Sequence, residues 1–448
     1  MRYLLMAMVS FFNVALGQVK PIADNKPALA TDSLYSRISL SKTSTHHYTV
    51  QLDAGVLYQF FVEQQGIDVA VKLIDPNNKQ LVDKDSPNGT EGPENFSLTA
   101  ELTGRYLLSI TPFNDSTALG SGHYSIYVRK FTTTQMKRMS DMKPLLEEEN
   151  KKNVLTLDID HFWDAVDHLA GCKTRKDSVT CFQERYIDIA TAGFKEFLEV
   201  RGFTAAEYVR TLVKYPKFYH SIRKNTYEVK KAAPLIEQVF ANFKKLYPEF
   251  KPFKVCFAIG TVRTGGTTSS NFVLIGTEIT VSTKENDLTE FNGDAMGKVL
   301  AGETDIVQKI KNIVAHECVH TQQKNKTDEN AQRCDLLYAC LMEGSCDFIG
   351  ELVAGNQLNK VSREYGDKHE AVLWKEFKKE LCSESLKNWL YNYKTSKDRP
   401  ADLGYYIGYR IAKAYYNKQT DKTQAIRDII DMKDPLKILQ QSGYAENL

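Results

Sequence analysis

Charge of one sign is what this sequence has least of: 58 Lys and Arg against 56 Asp and Glu leave a formal net charge of +2. That balance argues against a nucleic-acid groove or a polybasic membrane patch as the organising feature. Long apolar runs are scarce too. Beyond Leu16 no stretch approaches the ~20 apolar residues that cross a bilayer, so no transmembrane span is expected. Internal repeats and long low-complexity tracts are absent. Hydrophobic content of 42% and charged content of 25% suit an ordinary globular protein. At 448 residues the chain exceeds what one core usually organises, so two or three domains are expected.

The one apolar run stands at the start. Arg2 supplies a short positive region, Leu4 to Leu16 is almost wholly apolar, and Ala15-Leu16-Gly17 offers small residues where a signal peptidase reads. A signal peptide over 1–17, cleaved after Gly17, is therefore expected, with a secreted or periplasmic mature protein starting at Gln18. The residue directly after that point is Gln18 and not Cys, so a lipid anchor is not indicated. An exported chain can keep disulfides. Of eight cysteines, Cys172 and Cys181 flank a polar loop and are expected to bridge. Cys318, Cys334, Cys340 and Cys346 fall in segments with helical patterning, where small buried thiols are expected.

Residues 36–131 read as β structure. Tyr48 to Leu52, Leu57 to Val62, Val69 to Ile74, Phe96 to Ala100, Tyr106 to Ile110 and Tyr124 to Val128 are separated by turn clusters such as Asp75-Pro76-Asn77-Asn78. Short strands at such intervals indicate an antiparallel sandwich. The run Gly55-Val56-Leu57-Tyr58, with Asp68 to Asp75, Gly104-Arg105-Tyr106 and Gly122-His123-Tyr124, resembles the bacterial pre-peptidase C-terminal domain family. That resemblance implies a non-catalytic module accompanying a secreted protease. Residues 132–153 are polar and charged, a linker with a solvated helix. From 154 to 448 the pattern is mainly helical. Its β interruption comprises Phe253 to Ile259 and Asn271 to Val281, the second following a turn at Gly265-Gly266-Thr267-Thr268. The expected architecture is thus multidomain: a β-sandwich followed by a mainly α domain with a small β element.

Chemistry concentrates in the helical part. Thr304 or Asp305 can cap a helix whose Ile306, Val307, Ile310, Ile313 and Val314 recur at helical spacing and run into His316-Glu317-Cys318-Val319-His320. Helix positions four apart lie about 40° apart around the axis, so both imidazoles can reach one metal ion. Glu317, beside the first of them, is placed to hold a water and take its proton. A second helix, about Ala331 to Ala354, carries Glu343 and Asp347 on one face. Glu343 would complete a His₂Glu zinc site, and Asp347 would orient the first histidine through its free N–H. Cys346 and Cys340 are rival ligands, while Glu351 reads as structural. His161, Asp164 and His168 are read as a polar helix face. Gly404-Tyr405-Tyr406-Ile407-Gly408-Tyr409 repeats Gly-Tyr at four-residue spacing, which puts Tyr405 and Tyr409 on one face. A phenol there could meet a developing oxyanion or simply pack in the core.

The His-Glu-x-x-His motif with Glu343 and Asp347 resembles the gluzincin metallopeptidases. Over the region from Asp158 to the Gly-Tyr repeat the chain resembles a family of predicted zinc-dependent proteases that includes relatives of gliding-motility lipoproteins. The lipidated Cys of the lipoprotein members is missing. Gluzincins commonly hold an extended substrate along a strand edge, and Asn271 to Val281 could be that edge or a plain structural hairpin. The resulting expectation is an exported zinc hydrolase acting on peptides or proteins, with Glu317 as general base. A zinc-bound, non-hydrolytic envelope or motility-associated component is the alternative, and a carbohydrate-binding protein centred on the sandwich a weaker one.

Overall fold

The computed structural model describes residues 27–86, 89–113, 121–324 and 334–446. The expected signal peptide and its cleavage point lie outside these residues. The chain divides into two compact units, Met1–Ser140 and Asp141–Leu448.

In the first unit, alternation along the strands builds two facing sheets. Leu57–Gln65 buries Tyr58, Phe60 and Val62, Val69–Ile74 buries Val69, Val71 and Leu73, and Ser121–Lys130 buries Tyr124, Ile126 and Val128. These side chains form one core with Tyr106, Leu108 and Ile110. One sheet runs Ala28–Leu29, His46–Leu52, Gly104–Pro112, Val69–Ile74, Gln80–Lys84. The other runs Leu34–Ser41, Ser121–Lys130, Leu57–Gln65, Glu91–Pro93, with Phe96–Thr99 also paired to Leu57–Gln65. All pairings are antiparallel except that of Ala28–Leu29 with His46–Leu52. His46 and His47 turn to opposite faces, bonded to Tyr124 and Ser109.

The helix Thr133–Lys151 crosses the boundary between the units. It is less solvated than its composition suggests, because Glu149 near its end is buried. That carboxylate accepts from the backbone N–H groups of Thr156 and Leu157, at 2.6 and 3.0 Å. It thereby caps the helix Leu157–His168, whose own preceding residue Thr156 makes no side-chain cap.

The second unit is mainly helical around a four-stranded sheet ordered Val154–Leu155, Lys254–Ala258, Phe272–Gly276, Gly266–Thr268. The first three strands run parallel and the last antiparallel. This corrects the sequence reading at two points. Gly266–Thr268 is a strand and not a turn, and it forms the edge. Phe272–Gly276 is internal and buried along its whole length, which is why it reads as an unbroken apolar run.

The helix Ile306–His320 is capped by Asp305, whose carboxylate accepts from Gln308 N–H at 2.9 Å. It packs against the helix Asp335–Ala354, which packs in turn against Leu403–Lys418. The second contact is backbone on backbone. A Cβ on Gly344 would collide with the Gly408–Tyr409 backbone, and one on Gly408 with the Cys340 carbonyl. No helix among the described residues is long and apolar enough to cross a membrane.

The cysteine expectations fare unevenly. Cys334 is bonded to Cys382, tying the start of Asp335–Ala354 to the segment after the helix Lys360–Glu380. Its reading as a free buried thiol is therefore corrected. Cys172 and Cys181 are unbonded thiols, though close enough to hydrogen-bond. Cys318, Cys340 and Cys346 are buried and free.

Candidate metal centre

His316 and His320 leave the same face of Ile306–His320 one turn apart, and Glu343 comes to meet them from Asp335–Ala354. Glu343 Oε2 lies 3.7 Å from His316 Nε2 and 3.3 Å from His320 Nε2. Both rings are held from behind. His316 Nδ1 is 2.9 Å from Asp347 Oδ1, and His320 Nδ1 is 2.8 Å from Gln323 Oε1. With protons on both Nδ1 atoms, both Nε2 lone pairs point at the space beside Glu343. Asp347 is itself fixed by Asn359, whose Nδ2 donates to Oδ2 at 2.6 Å. Gln323 is fixed by donating to the Met342 carbonyl and Ser345 Oγ.

The electrostatics follow from a carboxylate buried between two imidazoles. Burial pushes Glu343 upward, but hydrogen bonds from His316 and His320 outweigh it and hold the group well below the carboxylate range. Burial pushes His316 down, and its bonds to Asp347 and Glu343 raise it well above the usual histidine value. His320 is likewise raised, by Glu343 against burial. Two neutral nitrogens and one anionic oxygen are the donor set that suits zinc, and a divalent cation can take the place of the shared protons. The residues present fit such an ion.

Cys346 is a rival for that role: one ligand atom each from His316, His320 and Cys346 lie within 4.8 Å of one another. The sulfur, however, approaches His320 at Nδ1, 3.4 Å away, on the ring edge already engaged by Gln323. Burial also lifts its pKa well above the thiol range, and it donates to the Met342 carbonyl. A thiol on the ring edge already engaged by Gln323 is less well placed than Glu343, whose Oε2 faces both Nε2 atoms. Cys340 faces the helix Leu403–Lys418 at Gly404. Glu351 is paired with Arg363 at 3.1 Å.

Glu317 is 6% exposed and sits close enough to both imidazoles for their charges to oppose the upward shift that burial imposes. Gly266 of the edge strand lies against it so tightly that any Cβ there would strike the Glu317 carboxylate. The strand edge and the base therefore share one wall of the site.

The two tyrosines part company. Tyr405 stacks on His316, ring centroids 6.2 Å apart, and reaches Glu343. Tyr409 does not join it. It is fully buried, with the Arg363 guanidinium 3.4 Å above its ring and Lys413 donating to its hydroxyl at 3.0 Å. Four residues advance a helix by about 6 Å, enough to carry the second ring past the site. The expectation of Tyr409 as a catalytic group is corrected accordingly. A different phenol takes part: Tyr391 donates to Glu343 Oε1 at 2.7 Å. It stands outside any regular helix with φ of 55°. No spacing in the sequence marks Tyr391, Gln323 or Asn359.

The reading of His161, Asp164 and His168 as one polar helix face is corrected in part: Asp164 and His168 are exposed together, whereas His161 is buried 3.9 Å from the buried Asp158.

Asp347→Ala is expected to weaken zinc affinity about 10- to 100-fold, the usual cost of losing the partner that orients a ligating histidine. Competition with a chromophoric chelator would measure it.

Residues 279–433 match the family model described as "Predicted Zn-dependent protease (DUF2268)". The matched segment contains the HECVH motif, Glu343 and the Gly-Tyr repeat. No curated protein matches the chain. Among solved structures, the pre-peptidase C-terminal domain of collagenase from Bacillus anthracis is 17% identical, covering 25% of this chain and 100% of that domain, with a TM-score of 0.19. PliG of Aeromonas hydrophila, a periplasmic inhibitor of g-type lysozyme, is 14% identical over 24% of this chain and 96% of its own, also at 0.19. IMPa from Pseudomonas aeruginosa, solved with an O-glycopeptide, is 11% identical over 91% of this chain and 44% of its own, again at 0.19. At these scores none of the three bears on function.

Proposed function

We propose that the chain is an exported zinc-dependent peptidase. In this reading it comprises a signal peptide over 1–17, an accessory sandwich over 36–131, a connecting segment over 132–153 and a peptidase domain over 154–448. The observation that carries the reading is the approach of Glu343 Oε2 to His316 Nε2 and His320 Nε2, with Glu317 buried alongside against Gly266. A site that only stored zinc would need the imidazoles and have no use for a second buried carboxylate.

His316, His320 and Glu343 would hold the ion, and zinc bound there would supply Lewis acidity to the water and the scissile carbonyl. Glu317 takes a proton from the attacking water and passes it to the departing amine nitrogen. Burial raises its pKa, which brings it closer to the range where one group can do both. Tyr405 donates to the carbonyl oxygen as negative charge develops there. Among the described residues no strand pairs with the outer edge of Gly266–Thr268, and an extended peptide could add to it beside Glu317.

Digestion of a peptide library by zinc-loaded protein tests this reading. Chelator-sensitive cleavage is the expected result, and a zinc-loaded protein that cleaves no peptide would leave the non-hydrolytic role. Export has its own check: N-terminal sequencing of native protein should begin at Gln18, and a retained Met1 would remove that part of the proposal.

A further inference from the structure

Packing does not explain where Tyr391 stands. Trp389 and Leu390 before it are buried, and so is Asn392 after it, yet Tyr391 is 63% exposed. Its φ of 55° lies in the left-handed region, which a bulky aromatic residue rarely adopts. The chain is nevertheless held in that conformation. Asn392 N–H donates to Asp402 Oδ1 at 3.0 Å, and Asp402 N–H donates back to Asn392 Oδ1 at 2.8 Å. Gly404 N–H donates to the Trp389 carbonyl at 2.8 Å. Upstream, the Cys334–Cys382 bond and a 3.0 Å bond from Leu336 N–H to the Ser383 carbonyl tie the same segment to the helix that carries Glu343.

What this conformation delivers is a directed bond. The Tyr391 hydroxyl donates to Glu343 Oε1 at 2.7 Å, while Oε2 of the same carboxylate lies 3.7 and 3.3 Å from His316 Nε2 and His320 Nε2. The two oxygens are thus divided between a phenol and the space the imidazoles face. A carboxylate with both oxygens free can meet a cation through one or both of them, and a hydrogen bond to one oxygen removes that freedom. Backbone strain persists where the surrounding structure over-determines it, and it gathers at ligand clamps.

We propose that Tyr391 is a positioning residue of the metal centre: it holds Glu343 Oε1, so that Oε2 alone is offered to the ion. One protein ligand atom fewer leaves a coordination position for water, as a catalytic zinc site requires. The assignment rests on the zinc-site reading and deepens it.

Cobalt(II), loaded into the full chain in place of zinc, tests it, because its visible bands weaken as the coordination number rises above four. The wild type should show the strong bands of a four-coordinate ion. Tyr391→Phe keeps the ring and frees Oε1, so its bands should weaken as Glu343 engages the ion through both oxygens. Tyr391→Asn should weaken them likewise. Its metal-free form should melt no lower than the wild type's, since asparagine tolerates a left-handed backbone. Weak bands in the wild type, or wild-type bands in both variants, overturn the proposal. So does weakening accompanied in both variants by a lower melt of the metal-free protein, which would make Tyr391 a packing residue. A wild type that binds neither cobalt nor zinc overturns the zinc-site reading and this assignment together, whereas a metal-loaded wild type with unchanged variants overturns the assignment alone.

Discussion

Glu317→Gln, loaded with zinc, is expected to lose peptide hydrolysis by at least the ~10²–10⁴-fold typical of removing a general base, while keeping its fold and its metal. Glutamine preserves the size of a side chain wedged against Gly266, so the edge strand need not move. It also leaves His316, His320 and Glu343 untouched, since no ligand depends on a bond from Glu317. What disappears is the ability to accept a proton. Turnover of one peptide by wild type and variant, at equal zinc content, is the measurement. A variant that turned over peptide like the wild type would place the activity elsewhere.

The second large effect concerns the metal itself. His316→Ala and His320→Ala should each lose stoichiometric zinc, and Glu343→Gln should follow them, because it removes the only anionic donor of the three. Binding in the native state alone stabilises the wild type by about 4.1 kcal/mol at roughly 1,000 times the dissociation constant. That zinc-dependent gain should vanish in the ligand variants. Metal analysis after dialysis, with thermal melts with and without zinc, would show it. Full zinc content in His316→Ala together with loss in a Cys346→Ser variant would instead assign the ligand role to the thiol.

Much of this is legible in the sequence. Period-two alternation in Leu57–Gln65, Val69–Ile74 and Ser121–Lys130 announces the sandwich, because each strand needs only one apolar face. Helical spacing carries the rest of the architecture, and the HECVH spacing alone puts His316 and His320 on one side of a helix. The Gly-Tyr repeat was ambiguous in a telling way. Its glycines do allow close helix packing, Gly404 against Cys340 and Gly408 against the Cys340 carbonyl, but that packing fixes where each tyrosine stands. Tyr405 stays and Tyr409 passes beyond.

What the sequence determined by itself is therefore what depends on neighbours along the chain: strand against helix, the capping of Ile306–His320 at Thr304 or Asp305, and two imidazoles one turn apart. Tertiary structure alone decided which strand lies at the edge, which cysteine bonds to Cys334, and which residues hold the histidines from behind. Those outcomes turn on contacts between segments distant in sequence. Asn359 and Tyr391 reach the centre from outside the helices Ile306–His320 and Asp335–Ala354. Hydrogen bonds and packing between such segments leave no periodic trace, since their geometry is set only when the helices close on one another.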